Sequence, residues 1–186
     1  MTALPRGILQ TLFRGIGLIA RGRAEGLNCF GQSPRAFLVS LLPGLGLMAG
    51  TLADSVISGY GSIALTMLLS SLCALLAPPV LSYELARLWG REAFWNRYAV
   101  AFNWTRWLLV LLFFTARLAH RSGLVEARGF QLLAIGLAFY ALWLSWFVAR
   151  HGLALTGMRA ALLVAGVNIG TLLLVLVPGA VAGRPG

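Results

Sequence analysis

The sequence predicts an all-α fold, a polytopic membrane helical bundle of five transmembrane helices with an N-terminal amphipathic interfacial helix, and three observations carry that expectation. The 186 residues are 59% hydrophobic and 11% charged, with a mean hydropathy of +0.85. A soluble domain carries roughly 25% charged residues, so a water-facing surface cannot be assembled from this supply. Apolar runs of about 20 residues recur along the chain, each long enough to cross a hydrocarbon core of ~30 Å as a helix. These runs are continuous rather than short and alternating, which favours helices over a barrel.

The charge narrows the partners. Fifteen basic residues, all arginine, oppose five acids for a net charge of +10. The arginines are spread over the connections between apolar runs, where positive charge sets topology and meets anionic headgroups. That distribution argues for a lipid bilayer with anionic headgroups, and for other membrane proteins or a second copy, as partners rather than nucleic acid. Cys29 and Cys73 show no CxxC or Cys/His spacing, so neither a disulfide framework nor a metal site is expected, and no cofactor motif is present.

Residues 1–35 read as a cytoplasmic basic segment and linker. Arg14 interrupts the first apolar run, and no small-residue cleavage site precedes Arg21 and Arg23, so a signal peptide is not expected. Leu9, Leu12, Phe13, Ile16 and Ala20 recur at spacings of three and four, while Arg6, Gln10, Arg14 and Arg21 fall on another side. Such a helix either lies in the headgroup plane, with Arg6, Arg14, Arg21 and Arg23 as a membrane-surface basic face, or packs against the bundle.

The transmembrane domain is expected over 36–182, followed by a short tail at 183–186. The first span covers about 36–57 and contains Pro43, which predicts a bend near Leu42. Its Gly46 and Gly50 form a small-xxx-small pair, as do Ser40 and Gly44, permitting close helix contact. Asp54, Ser55, Ser58 and Gly59 mark a turn. The second span, about 61–85, carries Pro78 and Pro79, which are expected to break or sharply bend it. The third span covers about 98–118, the fourth about 129–148 and the fifth about 159–177. In the fifth, Asn168 sits inside the Gly166/Gly170 pair and is expected to bond a neighbouring helix, and Pro178 and Gly179 are expected to end the helix.

Most of the polar chemistry falls between Pro78 and Trp107. Glu84 with Arg87 and Arg91 places an acid between two bases on one helical face. Asn103 and Arg106 share a face about a turn inside the third span, flanked by Trp104 and Trp107. Arg106 either snorkels to the headgroups or meets Glu84 or Tyr83 from the second span, since intramembrane charges are usually paired. Tyr83, Glu84, Asn103, Arg106 and Asn168 are thus the intramembrane polar cluster expected from sequence. His120 reads as a solvated loop histidine.

Orientation follows from arginine counts. Five spans put the termini on opposite faces; the N-terminal face would own eleven arginines and the other face Arg117, Arg121, Arg128 and Arg184. The positive-inside rule then expects the N-terminus in the cytoplasm and the C-terminus outside, in what reads as a bacterial cytoplasmic (inner) membrane.

The order of parts, together with RGIGLIARGRAEGLNCF before the first span, YELARLWG and YAVAFNWTRW around the third and WFVARHGLALTGMRAALLVAGVNI across the last two, resembles the Yip-type family of five-span membrane proteins in its bacterial relatives. Eukaryotic members are associated with Rab-type GTPases. Their acidic, aromatic N-terminal motif has no counterpart in the basic segment here, so GTPase binding is not carried over. The resemblance implies no catalytic residue.

A catalytic constellation at membrane depth would need paired carboxylates, a histidine cluster or a Ser/His arrangement, and the sequence offers none. The expected role is therefore a non-enzymatic membrane scaffold or assembly partner. The alternative is a small carrier or channel lined by Glu84, Asn103, Arg106 and Asn168. Where those side chains point discriminates the two.

Overall fold

The computed structural model describes residues 6–57 and 61–182. These form α1 (Arg6–Ala20), a 3-10 turn (Ala24–Cys29), α2 (Pro34–Ile57), α3 (Gly61–Leu88), a second 3-10 turn (Glu92–Phe94), α4 (Trp95–Arg121), α5 (Ala127–Gly152) and α6 (Gly157–Ala182), with no strand among the described residues. Helices α2 to α6 have 24 to 28 residues, or roughly 36–42 Å at 1.5 Å per residue. All five are long and apolar enough to cross a membrane. They overrun the expected spans by up to five residues, because a helix stays hydrogen-bonded past the lipid boundary.

The helix ends share one chemistry. The 6→1 bonds Arg23 N–H to Leu18 O, Arg91 N–H to Ala86 O, Leu124 N–H to Ala119 O and Leu155 N–H to Arg150 O close the last turns of α1, α3, α4 and α5. Each needs a left-handed residue just before the donor. Gly22, Gly90 and Gly123 supply it in three cases, and Ala154, at φ 52°, in the fourth.

Helix neighbours form a ring: α2 packs on α3, α3 on α6, α6 on α5, α5 on α4 and α4 on α2, while α3 and α4 also touch across the middle. Gly166 and Gly170 of α6 face Leu85 and Leu81 of α3 in antiparallel register, so this small-residue pair is a close helix contact as expected. In α2 it is Ser40 and Gly44 that point inward, Gly44 against Leu75; Gly46 and Gly50 meet nothing within 4 Å.

The buried core sits at one end of this ring. Ile19, Leu27, Phe30, Ala86, Tyr98 to Ala101, Val148 and Leu163 interlock there. Towards the other end, Phe114, Leu132, Phe139 and Leu173 face outward, where lipid rather than protein covers them. Helix α1 docks on the packed end. A Cβ on Gly26 would lie 2.6 Å from the Gly15 carbonyl oxygen, so only glycine allows α1 to lie flush on the turn behind it. The Tyr140 hydroxyl donates to Ala20 O at 2.8 Å and ties the end of α1 to α5. Packing against the bundle therefore describes its C-terminal half, while Leu9 and Phe13 stay 43% and 69% exposed.

Two proline expectations are corrected: Pro78 and Pro79 do not break α3, and Pro178 and Gly179 do not end α6, which continues to Ala182. Helix α2 likewise runs through Pro43. An interrupted helix would leave more backbone groups unbonded in lipid than a proline removes, so the ladder persists around it. The expected turn residues Ser58 and Gly59 and the tail 183–186 lie outside the described residues, as do the side chains of Arg6, Asp54 and Ser55.

Candidate functional site: two chambers that meet at Arg106

The site begins with a proline defect. Pro78 has no N–H to give the carbonyl of Ala74, four residues earlier, so that oxygen is left without its helical donor. Across the ring, Arg106 Nη1 donates to this same oxygen at 3.4 Å. The register that brings them together is set at the packed end, where Trp95 Nε1 donates to Ser82 Oγ at 3.1 Å and Ser82 Oγ donates to Pro79 O at 3.0 Å. Counting inward from that anchor along two antiparallel helices reaches Ala74 after eight residues and Arg106 after eleven, an offset of about 4.5 Å that the Arg106 side chain spans to reach the oxygen.

The expected pairing of Arg106 with Glu84 or Tyr83 is therefore corrected. Glu84 lies ten residues nearer the packed end than Ala74, roughly 15 Å along the helix axis. It makes a 3.8 Å ion pair with Arg87, both side chains exposed, which is the kind of pair that contributes little. Tyr83 packs edge-on against Trp95, at 5.3 Å between ring centroids. Among the described residues, no carboxylate lies in ion-pair range of Arg106.

Arg106 is exposed and lies well along α4. It stands nine residues from Arg97 and eleven from Arg117 on α4, about 13 and 16 Å from the charged ends. That is further than its side chain reaches. A cation at this depth costs about 2.5 to 3.5 kcal/mol on the insertion scale and is kept where it lines a cavity or meets a partner.

Arg106 borders two chambers inside the ring. The first, about 250 Å³, lies between α2, α3 and α4 and is lined by Ser40, Thr51, Ser71, Ala74, Asn103 and Arg106 among others. The second, about 390 Å³, lies between α3, α4, α5 and α6 and includes Pro78, Thr105, Arg106, Ser145, Asn168 and Thr171. Both are walled mainly by apolar side chains. The α3–α4 contact at Ala74 and Arg106 divides them.

Asn103 and Asn168 are bonded within the bundle. Asn103, buried in α4, donates through Nδ2 to Ser40 Oγ at 2.8 Å, and Ser40 donates onward to Phe37 O at 2.6 Å. Asn168 donates to Val164 O on its own helix at 2.7 Å, correcting the expected bond to a neighbour: a side chain can always reach the carbonyl four residues back, whereas a partner helix must offer an acceptor. Among the described residues, the buried hydroxyl of Thr171 has no hydrogen-bond partner.

The sequence reading missed Ser40, Ser82, Thr171 and the role of Arg97. Arg97 donates to His151 O and Gly152 O at 2.9 Å, capping α5 from another helix, where a cation also suits the negative end of the helix dipole. His120 is not a solvated loop residue: it lies in the last turn of α4, 2.8 Å from Val125 O through Nδ1, and stacks on Phe130. Arg14, Arg21 and Arg23 are exposed, with Arg23 paired to Glu25 at 3.1 Å. Among the described residues no three His, Cys, Asp or Glu side chains gather as a metal site.

No protein-family model, no curated protein and no solved structure matches this chain.

Proposed function

We propose that this chain is a non-enzymatic integral membrane protein that works by binding other membrane components, with the α1 end of the bundle as its contact face. One observation carries the reading. Helix α1 is clamped to the packed end through Gly15, Ile19 and Ala20, yet it presents Leu9 and Phe13 outward beside exposed Arg14 and Arg21. A rigid helix offering apolar and cationic groups together suits the headgroup layer or a membrane partner lying in it. The Yip-type resemblance points the same way, since it implies no catalytic residue. On the arginine distribution this end faces the cytoplasm of a bacterial inner membrane.

A photo-crosslinking residue in place of Phe13, activated in native membranes, tests the proposal. Adducts with lipid or with a membrane protein are expected. Labelling confined to soluble proteins, or absent altogether, overturns it.

A small-carrier reading stands second, favoured by the two chambers meeting at Arg106. Its lining would include Asn103, Arg106 and Asn168 but not Glu84. Solute flux in proteoliposomes that is abolished by Arg106→Gln would put this reading first.

A further inference from the structure

The larger chamber contains two polar groups whose bonding is incomplete. The Arg106 guanidinium has five N–H donors, and the hydrogen bond it makes is a long one, 3.4 Å to Ala74 O. Thr171, on the facing helix α6, has a buried hydroxyl without a partner. A buried hydroxyl left unbonded is unfavourable by an amount comparable to a lost hydrogen bond, and an unpaired cation at this depth is more unfavourable still. One acceptor bearing negative charge would satisfy both.

The walls say what that acceptor is attached to. Beside Arg106 and Thr171 the chamber is lined by Leu109, Val167, Leu172 and Val175, which offer nothing to a hydrated ion but suit a hydrocarbon chain. Its volume of about 390 Å³ falls at the lower end of ligand-sized cavities, ~300–1,000 Å³. Leu173 and Leu174 are exposed on the outside of α6, in a helix apolar enough to cross a membrane, so a chain leaving the chamber meets an apolar surface.

We propose that the larger chamber binds the oxyanion headgroup of a membrane amphiphile, a phosphate or carboxylate held between Arg106 and Thr171, with its chain against Leu109, Leu172 and Val175. This deepens the binding reading and rests on it. The two fail separately, because Phe13 crosslinking reports on the α1 face and this site lies inside the ring.

Radiolabelled dodecyl phosphate titrated into the purified protein in phosphatidylcholine nanodiscs measures the site, with inorganic phosphate as competitor. Saturable binding is expected, about ten- to a hundredfold weaker in Arg106→Gln, as for loss of a charge-assisted bond, and severalfold weaker in the near-isosteric Thr171→Val. Arg106→Lys keeps the charge and recovers part of the affinity, which separates loss of the site from loss of the fold. Inorganic phosphate does not compete at matched concentration. Equal uptake by the native protein, Thr171→Val and Arg106→Gln, or full competition by inorganic phosphate, overturns the proposal: the first removes the site, the second makes the ligand a free anion.

Discussion

Arg106 donates to the carbonyl oxygen of Ala74, the one that Pro78 leaves without a helical donor. A defect in one helix and a cation in another thus meet across the α3–α4 contact, the carbonyl gaining a donor while the guanidinium keeps donors to spare. This explains how a proline pair and a lone intramembrane arginine coexist in so apolar a chain, and why α3 needs no break at Pro78.

The relationship predicts coupling. In Pro78→Ala the backbone N–H returns to Ala74 O and Arg106 loses its task there. A double-mutant cycle of Pro78→Ala and Arg106→Gln, followed by thermal unfolding in detergent, should give an interaction energy of about 1 kcal/mol, the scale of a single net hydrogen bond. Additivity within ~0.3 kcal/mol would mean that the 3.4 Å contact contributes nothing.

Ala154 closes the last turn of α5 at φ 52°, a conformation that glycine adopts freely and alanine does not. Ala154→Gly should therefore raise stability by roughly 1 kcal/mol, read as a higher unfolding temperature. A lower one would show that the alanine methyl, rather than its backbone, matters to the turn.

Docking of α1 depends on the contact of Gly15 and Gly26. Gly26→Ala places a methyl 2.6 Å from backbone oxygen, which cannot yield as a flexible side chain would. Faster tryptic cleavage at Arg14 and Arg21 is expected in the folded variant, with α2 to α6 still protected. Unchanged cleavage would mean that α1 stays seated without this contact.

Topology is testable by reporter fusions. An alkaline-phosphatase fusion after Gly186 should be active and one near Glu92 inactive, as expected for an N-terminus in the cytoplasm. The reverse pattern inverts the orientation and moves the α1 face to the other side of the membrane. Leaving out Arg106, which lies well along an apolar helix, ten arginines against four still point the same way.

Membership of the membrane class, the number of crossing helices and their extents were legible in the sequence because apolar run length is a one-dimensional property that the bilayer thickness reads directly. The onset of α2 at Pro34 and of α5 at Ala127 lies two residues from the expected 36 and 129. Caps carry only a partial signal in sequence: Gly22, Gly90 and Gly123 end helices as glycine does, while Ala154 carries no such signal. The small-residue pair of α6 was likewise readable, whereas that of α2 could not be assigned a face, since lipid and protein are equally apolar surroundings for Gly46 and Gly50.

What the tertiary structure alone decided is who meets whom. The sequence by itself determined that Arg106 would sit in an apolar helix and that Pro78 would free a carbonyl. That the two are partners depends on the antiparallel register of α3 and α4, anchored at Trp95 and Ser82, which no composition or spacing within either helix encodes. The ring order is equally non-sequential: α6 closes the bundle between α3 and α5, so the chamber between Arg106 and Thr171 joins residues 65 positions apart in the chain. In lipid no hydrophobic gradient ranks one helix neighbour over another, and side-chain packing and hydrogen bonding across the helices make that choice.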